Sequence, residues 1–185
     1  MIEFNESTHT YTSGGAKVPS VSTIINDLLG SDYSKIDPFY ASRGTAVHKA
    51  IELYLSGSLD KGSLDEHVSP YFEAFLKFEK ETDFVVEEAE LRIFSERLWF
   101  AGTLDLIGTI GGKKYLLDIK TGSKQKWHNL QTAGYAIGYG DEEIKRGCIY
   151  VKKNETYQLQ PHLSKTDFMV FESMTVVFNK RGDFK

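Results

Sequence analysis

The chain is poor in cysteine: Cys148 is the single one among 185 residues. One cysteine excludes an internal disulfide and an iron–sulfur cluster held by cysteines alone. No apolar run approaches the roughly 18 residues that a membrane-spanning helix needs. Residues 1–6 are acidic and lack the basic and apolar regions of a signal peptide. These absences predict a protein of a reducing, cytoplasmic compartment with no membrane partner.

The length predicts one domain, residues 1–185, with a single good core. The net charge of −4 does not by itself indicate a nucleic-acid-binding protein, but the charge is unevenly distributed. Residues 1–100 carry 9 lysines and arginines against 17 acidic residues, whereas residues 101–185 carry 13 against 9. The basic residues of the second half would either form a face that attracts phosphate or stay solvated loop charges. They are Lys113, Lys114, Lys120, Lys124, Lys126, Lys145, Arg146, Lys152 and Lys153.

Apolar periodicity and turn residues predict the elements of the fold. Helices are expected at 20–29, 37–55, 66–82, 127–139 and 164–179, the last opened by a capping box from Ser164 to Asp167. Strands are expected at 84–94, 98–110, 114–119, 147–151 and 157–160, and a short hairpin over 2–12. The central order of helix, three strands, helix and strand predicts an α/β domain with a mixed sheet between helices.

Two aspartates end apolar runs: Asp105 in Gly102-Thr103-Leu104-Asp105 and Asp118 in Leu116-Leu117-Asp118. A carboxylate in an apolar strand is costly unless it is paired or bound to metal. Lys120 shares a strand face with Asp118, because side chains two residues apart point the same way. The pattern indicates a divalent-metal site beside a cation, which is chemistry suited to phosphodiester cleavage. The alternative is two aspartates that cap loops, with Lys120 in a salt bridge to Asp118.

Other candidates depend more on their context. His48 shares one helix face with Gly44 and with Glu52, which is expected to support His48 or Lys49. A lone histidine on a helix is usually structural, so spacing alone leaves its role open. Glu90 ends the acidic run that begins at Glu87, and a solvated strand face is the favoured interpretation. Gln131 and Tyr135 lie four residues apart on the helix that follows Lys120, where simple packing is the alternative.

Four motifs occur in an order that resembles the PD-(D/E)XK nuclease superfamily, in its RecB-like branch. They are Arg43-Gly44-Thr45-Ala46-Val47-His48, Gly102-x-x-Asp105, Asp118-Ile119-Lys120 and Gln131-x-x-x-Tyr135. His9-Thr10-Tyr11 followed by Val18-Pro19-Ser20-Val21-Ser22 is similar to the N-terminal pattern of phage and prophage members. The resemblance implies a restriction-endonuclease-like αβββαβ core, a Mg²⁺ or Mn²⁺ cofactor, and DNA as the substrate.

The resemblance also implies a role for each candidate residue. The metal ligands would be His48, Asp105, Asp118 and the backbone carbonyl of Ile119, with Glu90 as a weaker candidate. The catalytic group would be Asp105, Asp118 and Lys120, with Lys120 stabilising the nucleophile or the transition-state charge. Substrate would be bound by Gln131 and Tyr135, joined by Lys124 and Lys126 of the basic half.

The expected function is a metal-dependent deoxyribonuclease, an exonuclease of phage or bacterial DNA recombination or repair. Its compartment would be the cytoplasm of a bacterium or of a phage-infected host cell. Recombination or replication proteins are compatible partners, as is a second copy of the chain. Two alternatives stay open: a catalytically silent nucleic-acid-binding module, and a structure-specific endonuclease on the same fold.

Overall fold

A computed structural model describes residues 2–6, 8–30 and 37–181 of the chain. Its elements, in chain order, are β1 (Ile2–Asn5), β2 (Thr10–Ser13), β3 (Ala16–Val18), α1 (Val21–Leu29), α2 (Pro38–Leu55), a short 3-10 helix (Lys61–Ser63), α3 (Ser69–Thr82), β4 (Val85–Ser95), β5 (Phe100–Ile110), β6 (Lys113–Lys120), α4 (His128–Tyr139), β7 (Lys145–Val151), β8 (Tyr157–His162) and α5 (Thr166–Lys180). Within the described ranges, no helix is long and apolar enough to cross a membrane.

Strands β4 to β8 form one five-stranded sheet in chain order. Neighbouring strands are antiparallel except for β6 and β7, which are parallel. Parallel neighbours need a crossover connection, and α4 supplies it between these two strands. The predicted order of helix, three strands, helix and strand is therefore confirmed, together with the α/β class and the mixed sheet.

Apolar side chains cover both faces of this sheet. On one face, Leu116 packs in a cluster with side chains of α1, α4 and α5. On the other face, its neighbour Leu117 packs with side chains of α2 and α3. Side chains of successive strand residues point to opposite faces, and both faces of this sheet are covered. The unbroken apolar run of β6 therefore supplies side chains to both cores. The result is a sheet held between two helical layers.

Local chemistry sets where the first two helices begin and end. The Ser20 hydroxyl accepts the Thr23 N–H at 3.0 Å, and Gly30 ends α1 in a left-handed conformation with φ of 63°. The Asp37 carboxylate accepts the Phe39 N–H at 2.9 Å, and Pro38 opens α2. These starts and stops agree with the sequence prediction, and α2 carries Arg43 and His48 towards the sheet.

The two ends of the chain depart from prediction. The expected N-terminal hairpin continues into a third strand, so β1, β2 and β3 form a separate antiparallel sheet. The predicted capping box at Ser164 is wrong, because α5 begins at Thr166 and the Ser164 hydroxyl bonds the Thr166 hydroxyl instead. The Asp167 carboxylate is held by the buried Arg146 guanidinium at 2.6 Å, so it is not available to cap the helix.

Candidate metal centre and active site

The candidate site lies at a level of the sheet where the alternation of side chains between the two cores shifts in both β4 and β5. Leu104 belongs to one apolar core and Leu106 to the other, although an unbroken strand would place both on one face. Opposite them, Leu91 and Ala89 divide between the same two cores. The residue between Ala89 and Leu91 is Glu90, which has an unfavourable φ of +50°. Such backbone strain costs of the order of 1–3 kcal/mol and is often found at functional sites.

Asp105 lies opposite Glu90 at this irregularity, where β5 also separates from β6. The pairing of β5 with β6 ends at Leu106 and Leu117. Beyond that pair, the Asp105 carboxylate replaces a backbone partner and accepts the Ile119 N–H at 2.6 Å. The separation of the strands makes room for side chains, and the N–H bond fixes the Asp105 carboxylate at its edge.

His48 reaches this gap from α2. Its Nε2 lies 3.1 Å from the Ile119 carbonyl oxygen, and its Nδ1 lies 3.5 Å from the Asp105 carboxylate. Burial lowers the pKa of His48, but the Asp105 and Asp118 charges outweigh this effect and raise that pKa to about 9. Before a metal binds, the imidazole is therefore protonated at neutral pH and supplies positive charge between the carbonyl and the carboxylate. It must release this proton to act as a metal ligand.

Three side chains from three elements offer ligand atoms to one point. His48 of α2, Glu90 of β4 and Asp105 of β5 each present one such atom, and these atoms lie within 4.8 Å of one another. Burial, followed by the charge of Asp105, raises the pKa of Glu90 to about 7. Two carboxylates forced together in this way gain from a shared cation. One imidazole and two carboxylates are donors that suit Mn²⁺ or Mg²⁺.

Asp118 lines the same cavity, but its carboxylate is bound to Lys120. The Lys120 ammonium lies 2.6 Å from the Asp118 carboxylate, and the two side chains share a strand face as predicted. The Cys148 thiol faces the same carboxylate oxygen at 3.7 Å from the neighbouring strand β7. The Lys120 ammonium also donates to the Gln131 side-chain oxygen at 2.9 Å, and the Gln131 amide donates to the Tyr135 hydroxyl at 2.9 Å.

The electrostatics of this chain keep Lys120 charged. Burial by itself lowers the pKa of Lys120, but the Asp118 and Asp105 carboxylates raise it well above its ordinary value. Burial raises the pKa of Asp118 to about 6, with Lys120 opposing the shift. Burial also tends to raise the pKa of Asp105, but His48 and Lys120 bring it below its ordinary value. At neutral pH the site thus holds two aspartates beside a lysine and a protonated histidine.

Gly102 packs closely against α4 and α1 three residues before Asp105. A Cβ at Gly102 would lie 3.0 Å from a ring carbon of Tyr135 and 3.4 Å from Val21. An alanine there would push against the buried Tyr135 ring, which is 5% exposed. The spacing Gly102-x-x-Asp105 therefore has a packing reason: the glycine leaves room for the Tyr135 ring of α4 against β5.

Two cavities open at the site, and Gly44 and His48 line both. The first, of about 510 Å³, contains the carboxylates and extends under the N-terminal sheet. Its lining includes Phe4, His9, Tyr11, Glu90, Arg92, Asp105, Asp118, Gln131 and Tyr135. The second, of about 690 Å³, lies on the other side of His48. Its lining includes Tyr40, Arg43, Lys120, Thr121, Ser123, Trp127 and His128.

Two of the predicted substrate contacts, Lys124 and Lys126, lie outside these cavities. Lys124 is exposed and donates to the Gln160 side chain at 2.5 Å, beside a separate groove that Lys152 and Lys153 also line. Lys126 is exposed and lines neither of the two cavities at the metal site. The basic half does not form one continuous face, because Arg146 is buried against Asp167. Lys114 is likewise paired, with Glu87 at 3.2 Å.

The sequence matches no protein-family profile and no characterised protein at a significant level. Among solved structures, the chain is similar to a candidate exonuclease from Eubacterium rectale, with a TM-score of 0.53 and 14% identity over 91% of this chain and 75% of that one. It is also similar to an alkaline exonuclease from Laribacter hongkongensis, alone and in complex with dAMP, with a TM-score of 0.49 and 16% identity over 86% of this chain and 75% of that one. At such identity the first likeness establishes a shared fold, and the chemistry has to be argued from the site.

Sequence reasoning assigned no role to Arg43, and it offered His128, at the start of the predicted helix 127–139, as a residue lining the DNA path. Arg43 directly precedes the Gly44-x-x-x-His48 motif, so its position beside the site was visible once that motif was placed on a helix. His128 begins α4, where it is 4% exposed and its Nδ1 shares a hydrogen bond of 2.7 Å with the Tyr150 hydroxyl. Burial, with the charge of Lys120, lowers the pKa of His128 to about 3.

The neutral His128 gives a pH dependence of stability with a defined sign. Below about pH 6.5 the unfolded chain takes up a proton at this residue that the folded chain refuses, so stability falls as pH falls. Between pH 7 and pH 5 the wild type should lose up to about 2 kcal/mol more than His128→Gln does. Urea unfolding at both pH values checks this difference, with His67→Gln, an exposed histidine, as the matched control. Equal losses in the wild type and His128→Gln would show that His128 is protonated in the folded protein.

Proposed function

We propose that this protein is a metal-dependent deoxyribonuclease of the PD-(D/E)XK type, RecB-like in its motifs, that acts as an exonuclease. The observation that carries the proposal is the convergence of His48, Glu90 and Asp105 from three elements beside the Asp118–Lys120 pair. Glu90 and Asp105 hold two carboxylates close together, which is costly without a cation between them, and Glu90 also has a strained backbone. A divalent cation would offset the repulsion between the carboxylates.

The donor set agrees with Mg²⁺ or Mn²⁺. His48, Glu90 and Asp105 would bind the ion, and the Ile119 carbonyl, 3.1 Å from the His48 Nε2, is another ligand in this proposal. Asp118 is a further ligand in this proposal, within the same cavity. Oxygen ligands with one imidazole match the preferences of both ions, so the side chains present fit the proposed cofactor.

The ion, when bound, would lower the pKa of a water molecule and neutralise charge on the phosphate. The residues of the chain supply the rest. Lys120 places an ammonium next to Asp118, where it stabilises negative charge that develops on the attacked phosphate. Gln131 holds that ammonium from the opposite side, and Tyr135 in turn holds Gln131. Tyr135 is thus a positioning residue that acts on Lys120 through Gln131.

DNA is the proposed substrate, and its backbone would follow a path along the two cavities that His48 lines. Lys124 and Lys126 are exposed on the segment after β6 and would contact phosphates farther along the path. The candidate exonuclease from Eubacterium rectale, which has the same fold, is named for this activity. A cytoplasmic role in phage or bacterial recombination or repair, with proteins of that process as partners, belongs to the same proposal.

The function is tested with end-labelled linear DNA and closed-circular DNA, each with Mg²⁺, Mn²⁺ or EDTA. An exonuclease should shorten the linear DNA progressively, leave the circle intact and be inactive in EDTA. Conversion of the circle to nicked or linear forms would favour the endonuclease alternative. Binding of DNA with no product in either metal would favour the catalytically silent module and contradict the proposal.

A further inference from the structure

The Arg43 guanidinium lies in the second cavity with most of its hydrogen-bonding capacity unused. It stacks against Tyr71 and Tyr40, with ring centroids 4.5 Å and 5.0 Å from its central carbon. One Nη donates to the Thr121 carbonyl at 3.3 Å, and the buried Nε has no partner. No carboxylate within residues 2–6, 8–30 and 37–181 pairs with it. An arginine has five N–H donors in a planar fork, so several of them remain to be satisfied.

Arg146, the other arginine held inside the fold, shows what a satisfied guanidinium looks like in this chain. Its two Nη atoms donate to the Asn129 and Ser164 carbonyls at 2.8 Å and 2.6 Å. The Asp167 carboxylate neutralises its charge at 2.6 Å. Arg43 has the stacking partners that fix a guanidinium plane but lacks the anion that completes such a site.

The position of Arg43 relates this missing anion to the active centre. Arg43 and His48 are five residues apart on α2, and both line the second cavity together with Lys120. Thr121, which holds the guanidinium, directly follows the catalytic candidate Lys120. A strand that places one phosphate at His48 and Lys120 would therefore carry a neighbouring phosphate into reach of Arg43. Bidentate pairing with phosphate is the geometry for which a stacked guanidinium is suited.

We propose that Arg43 binds the internal phosphodiester next to the scissile one and thereby sets where along the strand cleavage occurs. This inference rests on the proposed nuclease function. Tyr40 and Tyr71 hold the guanidinium plane, and the unpaired N–H groups supply the phosphate contacts. Arg43 does not touch the reacting atoms, so its effect falls on substrate affinity and register and not on metal binding.

The test combines Arg43→Gln with DNA that carries a single uncharged methylphosphonate at successive positions near the cleavage point. Binding is measured by anisotropy in Ca²⁺, and cleavage in Mg²⁺. One methylphosphonate position should weaken binding by the wild type about 10-fold, and Arg43→Gln should weaken binding of unmodified DNA by a similar factor. The two losses should not multiply, because both remove the same contact. Losses that multiply, or an Arg43→Gln affinity equal to that of the wild type, would overturn the inference.

Three controls separate the outcomes. Arg97→Gln removes an exposed arginine paired with Glu172, outside both cavities, and should bind DNA as the wild type does. Arg43→Lys keeps the positive charge but not the two-pronged guanidinium, so it should recover little of the affinity. If Arg43→Gln does not fold, Arg43→Lys replaces it in the experiment with methylphosphonate DNA. Duplexes with and without a 5′-phosphate should show the same Arg43 dependence, since dependence on the terminal phosphate would contradict an internal contact.

Mn²⁺ binding and cleavage by the wild type are measured in parallel, so failure of the nuclease function is distinguished from failure of the Arg43 contact.

Discussion

Lys120→Ala should slow DNA cleavage by roughly 1,000-fold or more, while DNA affinity changes by less than about threefold. The reason is the position of the ammonium, which lies 2.6 Å from Asp118 and 2.9 Å from Gln131. In the proposed mechanism, an ammonium at this position stabilises the charge of the transition state. A group that interacts mainly with the transition state affects the rate more than ground-state binding. Single-turnover rates in Mg²⁺ and affinities in Ca²⁺ measure the two effects separately.

Lys113→Ala is the matched control for this experiment. Lys113 begins the same strand, is exposed and lies at the opposite end from Lys120, so its removal should leave rate and affinity unchanged. Lys120→Arg should recover part of the rate, because it keeps a positive charge beside Asp118. A Lys120→Ala variant that loses affinity and rate by the same factor would show that Lys120 contacts phosphate in the ground state and has no special role in the chemical step.

Asp105→Asn should weaken Mn²⁺ binding by roughly 100-fold and bring cleavage below detection, because it removes a buried charged ligand. The fold should persist, since an asparagine oxygen can still accept the Ile119 N–H that Asp105 accepts at 2.6 Å. Glu90→Gln should weaken Mn²⁺ binding less, by roughly 10-fold, because Glu90 is partly exposed whereas Asp105 is buried. Isothermal titration with Mn²⁺ measures each affinity.

Asp83→Asn is the control for both variants. Asp83 is exposed and ends α3 in a left-handed conformation with φ of 50°, which asparagine also tolerates. Its affinity for Mn²⁺ should equal that of the wild type. If Asp105→Asn bound Mn²⁺ as tightly as the wild type, the ion would be held elsewhere and the proposed ligand set would be wrong.

The sequence predicted the elements of the fold correctly wherever local chemistry determines them. Ser20 and Asp37 begin their helices as predicted, and the apolar runs around Leu106 and Leu117 become the central strands. The prediction of a capping box failed at Asp167, since a tertiary ion pair with Arg146 determines what that carboxylate does. No local pattern shows which of two competing partners a carboxylate will take.

The sequence predicted individual residues of the candidate site but not their arrangement in space. The spacing of Asp118 and Lys120 predicts their shared face, because the two-residue period of a strand is local. Glu90 was ranked low because its acidic neighbours suggest a solvated strand. Its place beside Asp105 depends on both strands changing face at the same level, and that feature arises from strand pairing. A role for Arg43 was not predicted for a similar reason: its stacking partner Tyr71 belongs to another helix.

The most direct test of the central claim is the anomalous difference map of a crystal soaked in Mn²⁺. The account predicts a peak within about 2.0–2.3 Å of a His48 nitrogen and of Glu90 and Asp105 carboxylate oxygens. The same crystal grown with Asp105→Asn protein should lack that peak. A wild-type map without a peak among these three side chains, at Mn²⁺ concentrations that support DNA cleavage, would contradict the proposed metal centre.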